Sequence, residues 1–260
     1  MKTTIKLVSL LGLAVLFSGN AMAVNLKLRG GVTNNSYTLD TTSSTGTTSN
    51  YGTASYSGNT LGATLLFSDS SGYLDVATSN GDGNWSGKYT SGTPFTSTMK
   101  HNDNSIILGA IFPGSGGNSG NLYAGWKNGE TSLDRAPGAN TNPSLKFKTS
   151  GFVFGGGGGI GLGGAGTLGL SLGMGIMSGE YDTTALNTTT NTYNTTTNKA
   201  DLALGFSYGI SYSYPFTKNF GVSVDYKGNL YNYTFNSGLS TEWSLTETFN
   251  TTSALLYVIF

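Results

Sequence analysis

The 260-residue chain contains no cysteine, which excludes disulfide bonds and thiolate metal sites. It has one histidine, His101, whereas a metal site needs several ligands that converge, so we expect no metal and no cofactor. Charged residues make up 10% of the chain, and no basic patch indicates a nucleic-acid partner. After residue 23 no apolar stretch reaches the length of a membrane-spanning helix, so a chain that crosses a membrane must do so as strands.

The first 23 residues have the three parts of a secretory signal peptide. Lys2 and Lys6 give a positively charged start, residues 7–17 are apolar, and Ala21-Met22-Ala23 has the small residues of a cleavage site. The apolar run is too short to cross about 30 Å of hydrocarbon, which disfavours a membrane anchor. We expect cleavage after Ala23, at the site formed by Ala21 and Ala23. The remaining residues 24–260 contain 11 basic and 13 acidic residues, a formal charge of −2.

The composition of the remaining chain favours strands. It is rich in Thr, Tyr and Phe, which suit a pleated surface, and helix formers are scarce. A soluble β-sandwich would share this composition, so the order of residues along the chain must decide between the two classes.

The clearest pattern lies in residues 201–214, where large apolar side chains alternate with small or polar ones. Alternate residues of a strand point to opposite faces, so one face is large and apolar and the other is small. A tilted membrane strand needs about 9–11 residues, whereas globular strands average about 5–6. The unbroken length therefore favours a membrane barrel.

Weaker copies of this pattern bring the expected number of strands to ten, with eight or twelve as alternatives. Short turns are expected at residues 68–72, 113–120, 163–166 and 215–219, and long Thr/Ser/Asn/Gly-rich loops at 41–57, 80–102, 128–144, 179–198 and 236–250. Outer-membrane barrels have short periplasmic turns and longer external loops. The sequence therefore predicts an all-β, antiparallel, up-and-down transmembrane barrel with both termini in the periplasm.

The last strand carries a further signature. The chain ends in Leu255-Leu256-Tyr257-Val258-Ile259-Phe260, an apolar segment that finishes on an aromatic residue. With the signal peptide and the unequal connections, this ending resembles the small Gram-negative outer-membrane barrels of the porin-like and OmpA-like families. The resemblance implies location in the cell outer membrane, contact with its lipid and lipopolysaccharide, and an assembly signal at Leu256, Val258 and Phe260 that the assembly machinery reads. It fixes no activity.

Two motifs could be mistaken for catalytic or binding sites. Residues 161–166 satisfy the dinucleotide pattern G-x-G-x-x-G, but that motif needs a following helix, and residues 167–176 alternate like a strand. We interpret it as a turn. Barrel lipid A deacylases and omptin proteases use a histidine, yet the omptin acidic pairs and Asp-x-His element have no evident counterpart here. We therefore expect His101 to be a solvated loop residue and the chain to have no catalytic residue, with an enzyme using His101 the less favoured alternative.

Function must then come from the lumen and the loops. Charged residues fall on the predicted inner face, where we expect an ion-paired plug; a narrow pore with slight anion preference is the alternative. The polar loops suit surface display and an extracellular ligand. The favoured hypothesis is a structural or surface-interaction barrel, and the alternative is a small porin. The predicted lumen charges are Lys27, Arg29, Lys127, Asp201, Asp225 and Lys227.

Overall fold

The computed structural model describes residues 24–67, 71–88, 94–134, 144–187, 189–190, 192–236 and 239–260. The expected signal peptide, residues 1–23, lies outside the described residues, so its cleavage stays a prediction. Within the described part, no helix is long and apolar enough to cross a membrane.

Eleven strands account for nearly all of the described chain. Two single 3-10 turns, Ser115–Gly117 and Gly163–Ala165, interrupt them. The strands are β1 (Val24–Thr42), β2 (Thr48–Phe67), β3 (Gly72–Lys88), β4 (Pro94–Pro113), β5 (Ser119–Asp134), β6 (Ser144–Gly161), β7 (Thr167–Asn187), β8 (Thr192–Lys199), β9 (Leu202–Pro215), β10 (Phe220–Phe235) and β11 (Trp243–Ile259).

The strands form a closed antiparallel barrel of ten positions. Each strand pairs with its neighbours in sequence, except that β8 and β9 both pair with β7, and β1 pairs with β11 to close the ring. Strands β8 and β9 follow one another along the same edge of β7, so together they fill one position. The backbone N–H of Phe260 donates to the Leu26 carbonyl at 2.9 Å, which extends the closing ladder to the last residue. The predicted ten-strand barrel is confirmed.

The half of the barrel nearest the chain termini, here the termini half, has a lipid-facing surface. Its outward side chains are large, apolar and exposed, in the phase that the sequence predicts. This apolar belt includes Val32, Leu61, Ile106, Leu108, Leu122, Phe152, Leu170, Leu172, Ile176, Leu204, Phe206, Val224 and Leu256.

The opposite half, here the far half, has the reverse arrangement. In β1 the outward residues of the belt are even-numbered, as at Val32, whereas the buried apolar residues of the far half are odd-numbered, Tyr37 and Leu39. The backbone alternation continues unbroken, so the apolar side chains have changed from the outer to the inner face. The wall here meets water outside and encloses a core.

That core fills the far half of the lumen. Tyr37 and Trp85 are 0% exposed, and the rings of Tyr37 and Phe249 lie 4.9 Å apart. The buried core consists of Tyr37, Leu39, Ala54, Tyr56, Trp85, Phe95, Met99, Leu133, Leu145, Phe147, Met177, Ala203, Tyr231, Tyr233, Phe235, Leu245 and Phe249.

The prediction of long loops is wrong for most of their length. Apart from those in the eight-residue β8, most residues expected in loops belong to strands of 16–21 residues, roughly twice the length that the hydrocarbon requires. The connection between β1 and β2, for example, is only residues 43–47. Beyond the lipid the outer face must be polar, so Thr, Ser and Asn occupy strands there and imitate the composition of a loop.

The G-x-G-x-x-G segment is a turn, as predicted. Gly163 and Gly166 have φ values of 63° and 99°, which side chains rarely adopt, and strand β7 follows directly.

The seam between β1 and β11 gives the first testable prediction. A methyl group at Gly31 would lie 1.9 Å from the Ala254 carbonyl oxygen, whereas the one close contact of a methyl group at the adjacent Gly30 would be with the flexible Leu61 side chain, at 2.9 Å. We expect Gly31→Ala to lower stability by at least about 1–3 kcal/mol because the seam must open to accept it. The measurement is the urea midpoint of the folded gel band, which migrates differently from the boiled protein. Gly30→Ala is the matched control, and equal midpoints for the two variants would contradict the packing argument.

Candidate functional site in the barrel lumen

In the termini half of the lumen, Arg29 and Asp75 form a two-point ion pair. The two guanidinium nitrogens of Arg29 lie 2.6 and 2.8 Å from the two carboxylate oxygens of Asp75. The Thr64 hydroxyl donates to the same carboxylate at 2.6 Å. Paired charges of this geometry suit an enclosed space, because each ion receives directional partners in place of water.

Lys127 is the second predicted lumen charge that has a direct partner. Its Nζ atom lies 3.0 Å from Oδ2 of Asp103 and donates to the Tyr231 hydroxyl at 2.5 Å. These contacts join β4, β5 and β10 across the lumen.

The other four predicted lumen charges have different surroundings from Arg29 and Lys127. Lys27 lies over the Tyr257 ring, 4.3 Å from its centroid. Asp225 and Lys227 occupy the inner face of β10 without a direct ion pair among the described residues, and Lys227 stays accessible to water there. Asp201 is exposed between β8 and β9, where its N–H donates to the Thr234 carbonyl near the end of β10. The structure therefore does not gather the six charges into one cluster.

A polar network crosses the lumen within the far-half core. Its centre is Glu247 on β11, which is 2% exposed. The Tyr37 hydroxyl donates to Oε1 at 2.9 Å and the Tyr233 hydroxyl donates to Oε2 at 2.7 Å. Tyr233 also contacts the Thr149 hydroxyl. Together with Thr131, a further hydrogen-bond partner of Glu247, these residues connect β1, β5, β6, β10 and β11.

The network continues through His101. Its Nδ1 lies 2.9 Å from the Thr131 hydroxyl and its Nε2 lies 3.5 Å from Oδ2 of Asp103. The ring packs on Phe249, with centroids 4.4 Å apart, and the residue is 8% exposed. The expectation of a solvated loop histidine is therefore wrong. Residues 94–113 form a strand, and the odd-numbered phase of β4 turns His101 into the core.

The two buried carboxyl groups of the far half differ in their tendency to ionise. Burial raises the pKa of Glu247, although hydrogen bonds from Tyr233 and Tyr37 and the charge of His101 oppose the rise. Burial also opposes the ionisation of Asp103, but Lys127 and His101 outweigh it and hold the pKa of that carboxyl below its ordinary range. Asp103 thus carries a stable negative charge, whereas Glu247 is the group of the pair that binds a proton more readily.

The network encloses little space. A cavity of about 10 Å³ lies between His101, Asp103, Lys127, Glu247 and Phe249, about the volume needed for a single water molecule. Among the described residues, no three His, Asp or Glu side chains are grouped so that they could hold a metal ion. The arrangement fastens six strands together around this small cavity.

Sequence reasoning missed Asp75, Asp103 and Glu247 as lumen residues. Asp75 could have been found from its position between Leu74 and Val76. These two side chains point outward, so the residue between them points into the lumen. Glu247 lay in a segment interpreted as a loop, and Asp103 lay at the edge of the fourth strand, directly after another such segment. The predicted assembly residues Leu256, Val258 and Phe260 lie on the outer face of the closing strand, with Phe260 67% exposed.

A closed antiparallel barrel with an apolar outer belt is the fold of bacterial outer-membrane β-barrel proteins. The belt and the fold place this protein in the outer membrane, as the terminal strand predicted.

Comparisons with known proteins agree with this class. No protein-family model matches the chain, and no curated protein sequence matches it. The chain is similar to the crystal structure of the outer membrane protease OmpT from Escherichia coli, with 10% identity and a TM-score of 0.65 over 94% of this chain and 99% of OmpT. At this identity the likeness shows the fold alone.

Two other solved structures show weaker likeness. The translocator domain of the autotransporter NalP from Neisseria meningitidis has 12% identity and a TM-score of 0.48, covering 100% of this chain and 95% of that domain. The outer membrane protein OprG from Pseudomonas aeruginosa has 11% identity and a TM-score of 0.41, covering 93% of this chain and 98% of its own.

Glu247 gives a prediction with a defined pH dependence. A carboxyl group whose pKa is higher in the folded than in the unfolded protein contributes its full stabilisation when the pH is below the unfolded pKa. This contribution is lost as the pH rises through the folded pKa. The ordinary pKa of a glutamate side chain is 4.5. We therefore expect Glu247→Gln, which is neutral at every pH, to gain stability relative to wild type as pH rises from 4 to 8. The measurement is the unfolding midpoint of the folded gel band across this range.

Glu247→Ala is the matched comparison. It removes the acceptor of both tyrosine hydroxyls, and each unsatisfied group costs about 1–3 kcal/mol. The Ala variant should therefore be less stable than the Gln variant at every pH. If Glu247→Gln and wild type differ in unfolding midpoint by the same amount at pH 4 and at pH 8, the raised pKa of Glu247 is contradicted.

Proposed function

We propose that this protein is a sealed outer-membrane barrel with a structural or surface-interaction role, which displays its far half on the cell surface. The observation that carries the proposal is the core of buried side chains, which fills the far half of the lumen around the Glu247 network. A continuous aqueous path would have to pass through this core.

The outer face of the far half supports its display in water. Lys146 pairs with Glu130 at 2.9 Å, and Lys148 pairs with Asp182 at 2.9 Å, all on the outward side of β5 to β7. Such exposed pairs contribute little stability, but they are compatible with water and costly in hydrocarbon. A surface of this kind suits an extracellular ligand, and the exposed apolar ending at Phe260 suits recognition by the assembly machinery.

We also propose that the protein is not an enzyme. His101 is enclosed by Thr131, Asp103 and Phe249, and the adjacent cavity has room for one water molecule only. An external substrate would not reach its ring nitrogens without displacement of the core.

Electrical recording tests the seal. Wild-type protein in a planar bilayer should show no steady conductance. Replacing two core residues, Met99→Ala with Phe249→Ala, should produce openings because large side chains in the centre of the core are removed. Asp225→Ala with Lys227→Ala is the control, since these charges lie in the other half and should leave the seal closed. Large, steady conductance of the wild type would instead make the small-porin function the leading account.

Single cysteines test the orientation, because the chain has no native thiol. Thr45→Cys lies in the exposed β1–β2 turn at the far end, and Ser115→Cys lies in an exposed turn at the termini end. A membrane-impermeant maleimide should label intact cells at position 45 and leave position 115 unlabelled until the outer membrane is opened. Labelling at position 115 alone would invert the proposed orientation.

A further inference from the structure

Strand β8 is the one strand of the described chain that has a single neighbour. It pairs with residues 180–187 of β7, on the side of β9 that is farther from the chain termini. The strand that would lie along its other edge is β10, but β10 ends at Phe235, and its last pairing with β9 joins Thr234 to Leu202. A row of backbone N–H and C=O groups on β8 therefore faces water, and we refer to this row as the β8 edge.

The β8 edge lacks the features that usually protect a free edge. Such features include a proline, a bulge or a charge in the middle of the strand. Strand β8 contains no proline, and its one charged residue, Lys199, stands at its end. Its register with β7 is continuous, and Tyr193 is 73% exposed. The edge is thus open to pairing with a further strand.

A second copy of β8 matches this edge when it runs antiparallel. Directly opposite residues of a sheet point to the same face, so two identical strands must pair residues of equal parity. With Thr196 opposite itself, Asn194 lies opposite Asn198 of the second copy. Tyr193 then lies opposite Lys199, so that an ammonium group meets an aromatic ring. Hydroxyl meets hydroxyl and amide meets amide, and cross-strand pairs of complementary side chains stabilise a sheet.

The tilt of the strands decides where the second copy lies. Barrel strands are inclined by about 35–45° to the membrane normal. A two-fold rotation about that normal, which relates two barrels of one membrane, would cross their β8 strands at about 70–90°, whereas paired strands differ by about 20–25°. A two-fold axis in the membrane plane instead makes the two strands antiparallel. That axis also inverts one barrel, so the two copies lie in opposed membranes.

The hairpin of β7 and β8 extends far enough for such a contact. The last large, exposed apolar residue of β7 is Ile176, which marks the end of the belt on this strand. Strand β7 continues to Asn187. At about 3.3 Å per residue this segment adds roughly 35 Å along the line of the strand. The β8 edge is therefore held clear of the lipid.

We propose that the β8 edge binds the β8 edge of a second copy of this protein in an opposed membrane, so that one sheet continues from cell to cell. The backbone groups of β8 provide the binding, and the equal-parity register of residues 193–199 provides the specificity. This proposal names the partner in the surface-interaction role, and it rests on the proposed display of the far half on the cell surface.

Tethering of vesicles tests the pairing. Two populations of proteoliposomes, each with its own dye, carry this protein alone, and flow cytometry counts the particles that carry both dyes. Wild-type populations should tether. Thr196→Lys brings two ammonium groups face to face and Thr196→Glu two carboxylates, so either variant by itself should tether at least about threefold less. A mixture of the two variants should tether at least as well as wild type, because opposite charges then meet.

Thr45→Lys and Thr45→Glu are the matched controls, since Thr45 is also exposed but lies in the β1–β2 turn. Both should tether like wild type. Wild-type vesicles that stay separate, or a mixture of the Thr196 variants that tethers no better than each variant alone, would overturn the proposal. Restored tethering in the mixture shows that both variants are folded. The vesicle assay does not depend on orientation in the cell, so a failure of surface display is detected separately, by labelling at position 45.

Disulfide formation tests the register, because the chain has no native thiol. Directly opposite Cα atoms lie about 4.5–5.5 Å apart, a distance that a disulfide bridges. When the two vesicle populations carry different epitope tags, Thr196→Cys should give dimers that contain both tags. Asn194→Cys should give none by itself but should cross-link to Asn198→Cys. Dimers of Thr196→Cys with a single tag only, or self-linked Asn194→Cys, would contradict the opposed, equal-parity pairing.

Discussion

The constraint on which the structure depends is the need to pair every backbone polar group in a medium that offers no water. Hydrocarbon cannot satisfy an open sheet edge, so the sheet must close on itself. The β1–β11 ladder does this from Thr42 down to the terminal Phe260, and Gly31 is small because the two strands approach closely there. The belt, the lumen and the far-half core all take their places from this closure.

The strands pass from lipid into water, and the apolar side chains change from the outer to the inner face at the boundary. In lipid the large residues point outward, and the lumen contains glycine, serine and a few charged residues, of which Arg29 and Asp75 form an ion pair. Beyond the lipid the same strands point Tyr37, Met99 or Phe147 inward and polar residues outward. Since the backbone alternation is fixed at two residues, the change appears in the sequence as a shift of the apolar phase from one parity to the other.

That phase shift explains what the sequence could and could not predict. The lipid-facing segments, the strand number, the turn at residues 163–166 and the inner position of Arg29 and Lys127 follow from simple alternation over short stretches. The far half was misread because its strands are rich in Thr, Ser and Asn, as loops are, and because its apolar residues occupy the opposite phase. The Glu247 network could not be predicted, since it joins residues as far apart as Tyr37 and Glu247, whose contact depends on barrel closure.

The filled far half also has a thermodynamic consequence. Its apolar side chains are removed from water, as in a soluble domain, whereas those of the belt exchange one apolar medium for another. Exposure of apolar surface to water is what raises the heat capacity on unfolding. The heat-capacity change of this barrel should therefore come mainly from the half that lies outside the membrane, so that temperature acts on the two halves of the same strands in different ways.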